Sequence, residues 1–265
     1  TALSMTAGTG VIVLLASPRY SSVLPSLTIE AWAWLAVTAV INYPIGRLML
    51  FNAIQKIGVA RGNTIVAANP VVAGFAAVLW FNETLNALIT AGLVASVLGA
   101  MIVLRSTPDP NKDESGSMTR NAIARGYSAA LAAMIAYGTV SVLVKKLVLD
   151  VAEPRVAASM VFLIGTLVLS AIAIPRASRE IRLINSRSAL LLIFGGALMS
   201  LGVLSFYAAA ERAPIVAVAP IVSLSPLVAI FAAQITAGKS EQITRPIWAG
   251  AMMVVVGVVL IGLSL

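Results

Sequence analysis

Three polar residues, Asn42, Tyr43 and Arg47, interrupt a long apolar stretch in the sequence INYPIGRLML. On an α-helix, side chains four positions apart share a face, so Tyr43, Arg47 and Phe51 line one face and Asn42 lies beside them. An unpaired guanidinium inside a membrane costs at least about 2.5–3.5 kcal/mol on insertion scales, and a carboxylate is its natural partner. We predict that this face turns toward a pore, with Arg47 at the cavity edge to meet a substrate carboxylate. The alternative is that Arg47 snorkels to the polar end of its segment.

Two of the prolines inside apolar segments stand in the pairs Asn69-Pro70 and Ser225-Pro226. A proline lacks the N–H that a helix needs at its position, so a backbone carbonyl one turn earlier is freed. At membrane depth such a carbonyl is tolerated beside neighbouring helices or water. We predict that both breaks line a central cavity and that Asn69 and Ser225 offer polar atoms to a ligand. The alternative is a packed kink whose freed groups are satisfied by nearby hydroxyls, such as that of Thr64.

Two tyrosines complete the set of candidate ligand-binding residues. Tyr137 sits deep in an apolar segment, beside Gly138, where its ring could stack on an apolar or aromatic group. Tyr207 lies near the end of a later segment, and for it a helix-packing or interfacial role is the alternative. The predicted substrate-binding residues are Asn42, Tyr43, Arg47, Asn69, Pro70, Tyr137, Tyr207, Ser225 and Pro226.

The composition indicates an integral membrane protein. Of the 265 residues, 60% are hydrophobic and 11% are charged, and the mean hydropathy is +0.99. These values are far from those of a soluble domain. Apolar runs, most of them near the ~20 residues that cross a bilayer as a helix, are found at roughly 2–17, 30–54, 63–81, 86–104, 124–144, 155–175, 188–210, 214–236 and 246–264. The sequence therefore predicts a multi-pass, all-α protein of the inner (plasma) membrane.

The residue inventory also excludes several chemistries. The chain has no Cys and no His, so disulfides, thiol chemistry, histidine metal sites and histidine base catalysis are excluded. All ten acidic residues fall in loops or at segment ends rather than inside an apolar run. We predict no catalytic residue, no metal and no cofactor, and we expect the protein not to be an enzyme.

The chain resembles itself after a shift of 156 residues. The stretch IVAANPVVAGFAA (65–77) aligns with IVSLSPLVAIFAA (221–233), and the match includes the proline and the phenylalanine. With two residues inserted, it continues through the pairs Glu83/Glu241, Gly92/Gly250 and Gly99/Gly257. This internal duplication predicts a first repeat at 1–104, a linker at 105–123 and a second repeat at 124–265.

The two repeats differ in the number of apolar segments. The second holds five and the first holds four, so we expect a helix equivalent to 124–144 to precede Thr1 in the native protein. A repeat with an odd number of crossings must be inverted relative to its copy in the membrane. The predicted architecture is an inverted repeat of five plus five transmembrane helices, with the first helix missing from this chain and nine segments present.

The two copies share a set of motifs that resembles the EamA-type transporters of the drug/metabolite transporter superfamily. Each copy has an aromatic-Ala helix end with a polar-basic pair, a mid-helix proline, a Glu at the next turn and two glycines in its final helix. In this sequence they are Phe51, Ala53, Gln55-Lys56, Asn69-Pro70, Glu83 and Gly92/Gly99, then Tyr207, Ala209, Glu211-Arg212, Ser225-Pro226, Glu241 and Gly250/Gly257. The resemblance covers the whole chain.

The resemblance implies a secondary transporter that exports or exchanges small metabolites, with amino acids as the favoured cargo, through a cavity between the inverted halves. The alternative is a carrier or flippase subunit for lipid-linked sugar or nucleotide-type cargo. The expected partners are a small-molecule substrate and the lipid bilayer, without nucleic acid, for a monomer or a homodimer. Orientation stays open, because the excess of basic residues on one side places the C-terminus outside, whereas the family topology places both ends in the cytoplasm.

Overall fold

The computed structural model of the protein describes residues 6, 8–13, 20, 23–82, 86–105, 120–180, 185–222 and 245–263. All regular elements in these ranges are helical, which confirms the predicted all-α class. In chain order the α-helices are α1 (Ile29–Val40), α2 (Leu48–Ile57), α3 (Val59–Val66), α4 (Asn69–Phe81), α5 (Ala87–Arg105), α6 (Arg120–Lys146), α7 (Pro154–Glu180), α8 (Ser186–Arg212), α9 (Ile215–Val222) and α10 (Arg245–Gly262). Two π-helical segments, Ile41–Arg47 and Leu147–Val151, join α1 to α2 and extend α6, and a short 3₁₀ turn covers Leu24–Ser26.

Within the described part of the chain, five helical spans are long and apolar enough to cross a membrane. They are Ile29–Ile57, Arg61–Phe81, Arg120–Val151, Pro154–Ile172 and Ser188–Arg212. Two shorter apolar helices, Ala87–Gly99 and Trp248–Ile261, fall in the runs predicted at 86–104 and 246–264. Of the run predicted at 214–236 only the part up to 222 is described, and of the first run only residues 6 and 8–13. Helix α6 begins at Arg120, inside the stretch that the sequence assigned to the linker.

The helix boundaries follow from local capping. The Thr28 hydroxyl accepts from the Ala31 N–H at 3.2 Å to start α1. The Asn86 side-chain oxygen accepts from the Ile89 N–H at 2.8 Å ahead of α5, and Asn185 accepts from Ser188 at 2.8 Å ahead of α8. Each of these caps supplies an acceptor to a first-turn N–H that has no partner within the helix. Between α2 and α3, Gly58 has φ 86°, a conformation that favours glycine over any residue with a Cβ.

The chain divides into two compact units. The first unit is Thr1–Pro44 with Leu143–Ala213, and the second is Ile45–Val142 with Pro214–Leu265. In the first unit α7 packs against α1 and α8. The fully buried side chains of this unit include Leu35 of α1 and Phe162 of α7. The Lys145 ammonium donates to the Ala213 carbonyl at 2.7 Å, which places a positive charge at the C-terminal end of α8.

The second unit is built around the crossing of α5 with α10, its most extensive helix pair. A Cβ added at Gly99 would lie 2.5 Å from the Gly250 carbonyl oxygen, and Gly92 makes an equally close approach to the Gly257 carbonyl. Only glycine permits backbones to meet at this separation. The internal repeat relates Gly92 to Gly250 and Gly99 to Gly257. The first glycine of each copy therefore contacts the second glycine of the other copy.

Candidate functional site

The residues INYPIGR form a π-helical segment, Ile41–Arg47, with Pro44 inside it. Pro44 has no N–H to donate, and a π-helical turn closes its hydrogen bonds over five residues instead of four. The wider turn lets the helix continue past the proline, so one span runs from Ile29 to Ile57. Such π-helical insertions are frequent at functional sites. The segment holds three of the predicted ligand-binding residues.

Tyr43 belongs to the first unit and is fully packed there. Its side chain is 2% exposed, and its ring meets that of Phe162 edge-on at a centroid distance of 5.3 Å. The ring also occupies the space that a Cβ on Gly165 would fill. Tyr43 therefore fixes the π-helical segment against α7. Asn42, beside it, is half-buried, and the predicted pore-facing role of these two residues stays a prediction.

Arg47 lies in the portion of this helix that belongs to the second unit, which begins at Ile45. Its side chain is half-buried, and its guanidinium carbon lies 5.7 Å from the centroid of the Phe51 ring. At this distance the ring attracts the cation and orients the guanidinium plane. The i, i+4 spacing from which the sequence predicted a shared face for Arg47 and Phe51 is therefore a direct contact in the structure.

The second interruption stops the helix altogether. Helix α3 ends at Val66 and α4 begins at Asn69, with Ala67 and Ala68 in a turn between them. Pro70 has no N–H for the Val66 carbonyl one turn earlier, and the Asn69 side-chain nitrogen donates to that carbonyl at 2.9 Å. Asn69 thus satisfies the acceptor that the proline frees. This contact matches the packed-kink alternative, but the donor is the Asn69 amide rather than the Thr64 hydroxyl.

The Asn69-Pro70 break packs against helix α6. A Cβ added at Gly138 would lie 2.8 Å from the Asn69 carbonyl oxygen and 2.5 Å from the Val72 Cβ. Tyr137, the neighbour of Gly138, is partly buried and lies within electrostatic range of the Arg47 guanidinium. The second unit therefore brings Arg47, Tyr137 and the Asn69-Pro70 break into one neighbourhood, which we call the Arg47 site.

The other predicted residues lie elsewhere. Tyr207 belongs to the first unit, is 1% exposed and meets the Phe206 ring edge-on. Its hydroxyl finds no hydrogen-bond partner among the described residues, and its phenol lies within electrostatic range of Tyr43. Ser225 and Pro226 lie outside the described residues.

The groups of the Arg47 site are of the kinds that bind a small polar ligand. A guanidinium donates up to five N–H groups in a plane that matches a carboxylate, and a phenol adds a group that donates or accepts. In the described ranges no three His, Cys, Asp or Glu side chains gather to hold a metal ion. Sequence reasoning missed the part played by Gly138, because only the fold brings its backbone to the Asn69 carbonyl.

Comparison with known proteins identifies the class. The EamA-like transporter family matches residues 1–105 and 124–263. One solved crystal structure superposes with a TM-score of 0.69 at 16% sequence identity, covering 99% of this chain and 86% of that chain. At this identity the likeness establishes the fold alone. No curated protein matches the sequence significantly.

The chain belongs to the EamA-like transporter family. It is therefore a multi-pass membrane transporter of the drug/metabolite transporter type, with a small-molecule substrate and membrane lipid as its partners.

Proposed function

We propose that the protein is a secondary carrier that exports or exchanges small metabolites, amino acids in particular, by alternating access. The observation that carries the proposal is the Arg47 site. A cation held inside a membrane-spanning helix by an aromatic ring lies near a tyrosine and a broken helix. Ionisable residues within membrane spans mark substrate pathways, and broken helices surround the substrate in inverted-repeat carriers.

The chemistry of the Arg47 site favours a small carboxylate-bearing cargo. Burial raises the free energy of the Arg47 charge, and a bound carboxylate lowers it through charge-assisted hydrogen bonds worth about 1.5–3 kcal/mol. The Phe51 ring centroid lies 5.7 Å from the guanidinium carbon, and we infer that the N–H groups turned away from the ring meet the cargo. Tyr137 faces the remainder of an amino acid, through its ring for an apolar side chain or through its hydroxyl for a polar one.

Facilitated exchange is the transport mode that fits these residues. Proton coupling usually needs a carboxylate within the membrane spans. Among the described residues, Glu30, Asp150, Glu153 and Glu211 lie at the ends of helical elements. Exchange driven by the cargo gradient requires no such group.

The test is counterflow in proteoliposomes containing the full-length protein, with a panel of radiolabelled amino acids and with or without a pH gradient. We expect saturable exchange that is insensitive to the pH gradient. Arg47→Gln should raise the half-saturating concentration by about 10–100-fold, which corresponds to the loss of one charge-assisted contact. Tyr137→Phe should change the preference among amino acids of different side chain.

Two matched variants serve as controls. Arg245→Gln removes the same charge from an exposed position in the second unit, and Tyr127→Phe makes the same change in the apolar cluster of Ala53 and Ile57. Both should transport normally. If Arg47→Gln behaved like Arg245→Gln while transport persisted, the Arg47 site would not bind the cargo. If no amino acid exchanged, the assay would turn to lipid-linked sugar or nucleotide-type cargo.

A further inference from the structure

Three cations converge at one end of the second unit. Lys56 lies in the last turn of α2, and Arg61 lies in the first turn of α3, across the Gly58 turn. Gly126 of α6 packs against Lys56 and Ile57 at the end of α2. A Cβ added at Gly126 would lie 2.9 Å from Lys56 Cβ and 2.7 Å from Ile57 Cγ2. This contact brings Arg125 to the same place. We call Lys56, Arg61 and Arg125 the basic cluster.

The hydrogen bonds within the protein occupy few donors of the basic cluster. Lys56 donates to the Asn52 side-chain oxygen, and Arg61 Nη1 donates to the Ile57 carbonyl at 3.4 Å. A lysine has three N–H donors and an arginine has five. Most donors of the three side chains therefore make no hydrogen bond to the described residues. The Arg61 Nε is buried and meets no acceptor among the described residues.

Among the described residues of its unit, the charge of the basic cluster has no acidic counterpart. The described residues of the second unit include no Asp and no Glu. Three like charges on adjoining helix ends repel, and an anion that bridges them removes that repulsion. The electrostatics therefore favour a bound anion.

The surroundings define the kind of anion. Directly beneath the basic cluster lies an apolar cluster formed by Ala53, Ile57, Ile65, Ile123, Ala129 and Ala130, with Met49 and Tyr127 packed against it. The cations thus lie at or near the ends of helices that are long and apolar enough to span a membrane, and such helix ends lie near the lipid headgroups. Basic pockets between transmembrane helices with this layering suit phospholipid headgroups.

We propose that the basic cluster binds the phosphodiester of an anionic phospholipid. Arg61 and Arg125 donate to the phosphate oxygens, and Lys56 supplies the third charge. The bound lipid ties the end of α2 to the start of α6 and stabilises the second unit. This inference does not depend on the cargo or on the Arg47 site.

The experiment measures the melting temperature of the detergent-purified, full-length protein while lipid is added. Phosphatidylglycerol, phosphatidylcholine and inorganic phosphate are titrated separately, and native mass spectrometry counts the bound lipid. We expect phosphatidylglycerol to raise the melting temperature by several degrees at micromolar concentration, while phosphatidylcholine and inorganic phosphate do not. The variant Lys56→Gln, Arg61→Gln, Arg125→Gln should lose most of this shift.

A matched triple variant, Arg155→Gln, Arg212→Gln, Arg245→Gln, removes three exposed arginines that are not part of the basic cluster and should keep the shift. Equal losses in the two triple variants would overturn the proposal in favour of a general charge effect. An equal shift with inorganic phosphate would make the basic cluster a site for free anions instead of lipid. If the cluster variant fails to fold, the exposed Arg125→Gln alone should weaken phosphatidylglycerol binding several-fold in native mass spectrometry, and unchanged binding would contradict the proposal.

The acidic residues of the 105–123 stretch, Asp109, Asp113 and Glu114, are the intramolecular competitors for the basic cluster. Their replacement by Asn, Asn and Gln should leave phosphatidylglycerol binding within twofold of the unmodified protein. A tenfold or larger gain in affinity would identify these carboxylates as the natural occupant and would overturn the lipid assignment.

Discussion

Pro44 and Pro70 both lie within described membrane-spanning helices, and the protein accommodates them in two different ways. At Pro44 the backbone widens into a π-helical segment and the helix continues. At Pro70 the helix stops at Val66 and restarts at Asn69, whose side chain donates to the freed Val66 carbonyl. At Pro44 the backbone hydrogen bonds shift to a five-residue spacing. At Pro70 a side chain replaces the missing backbone donor. A carbonyl left without a donor at membrane depth costs several kcal/mol, so each solution is required.

Each interruption is also seated on a glycine of another helix in its own unit. In the first unit, Gly165 receives the ring of Tyr43. In the second unit, Gly138 receives the backbone carbonyl of Asn69. A ring can turn about its side-chain bonds, whereas a carbonyl moves only with its helix. The Pro70 break should therefore tolerate less change than the Pro44 segment.

Gly138→Ala should have the largest effect. The new methyl group would overlap the Asn69 carbonyl and Val72, so α6 must separate from the break. We expect a loss of about 2–3 kcal/mol, at the upper end of the cost of overpacking. Thermal unfolding in detergent measures the loss, and Gly202→Ala is the control because no atom lies within 4 Å of a Cβ at that position. Similar melting temperatures for the two variants would show that the break does not rest on α6.

Asn69→Ala should have an intermediate effect. It removes the donor to the Val66 carbonyl, and we expect a cost of about 1–2 kcal/mol in the same unfolding assay. Asn63→Ala is the matched control, since the Asn63 side chain donates to the Val59 carbonyl at 2.9 Å. In a regular helix that carbonyl already accepts a backbone N–H, so its loss should cost less. A cost for Asn63→Ala as large as that for Asn69→Ala would contradict this account of the break.

Gly165→Ala should have the smallest effect of the three. The Tyr43 ring must turn away from the new methyl group, and we expect a cost of about 1 kcal/mol, at the low end of overpacking. Gly195→Ala, with no atom within 4 Å of the added Cβ, is the control. The double variant Gly165→Ala, Tyr43→Leu should recover stability, because the smaller side chain leaves room for the methyl group. A cost above that of Gly138→Ala would reverse the comparison.

The sequence predicts the class and many helix positions because hydropathy alone determines which segments enter a bilayer. Proline chemistry likewise predicts an interruption near Pro70. Neither indicates how the backbone responds. Pro44 and Pro70 are both prolines within apolar segments, but Pro44 lies in a π-helical segment, whereas the helix ends ahead of Pro70. The difference lies at Asn69, whose side chain donates to the Val66 carbonyl. The predicted role of Asn69 toward a ligand stays a prediction.

The remaining features of the site depend on which helices meet. The spacing of Arg47 and Phe51 predicts their shared face because both lie on one helix. The seating of Gly138 on the Asn69 carbonyl joins residues about 70 positions apart in the chain, and no pattern within either segment signals it. The ligand-binding roles of all nine candidate residues stay predictions from sequence; these residues are Asn42, Tyr43, Arg47, Asn69, Pro70, Tyr137, Tyr207, Ser225 and Pro226.

The crossing of α5 and α10 has the form of a symmetric dimer interface contained within one polypeptide. In such a dimer a residue i of one partner meets j of the other and j meets i, so one substitution alters both contacts at once. Here each copy is encoded separately, and the positions around the glycines have already diverged. Ser96 lies against Gly257, whereas its counterpart Val254 lies against Gly99. Fusion of the two copies has turned one shared evolutionary constraint into two that can be adjusted independently.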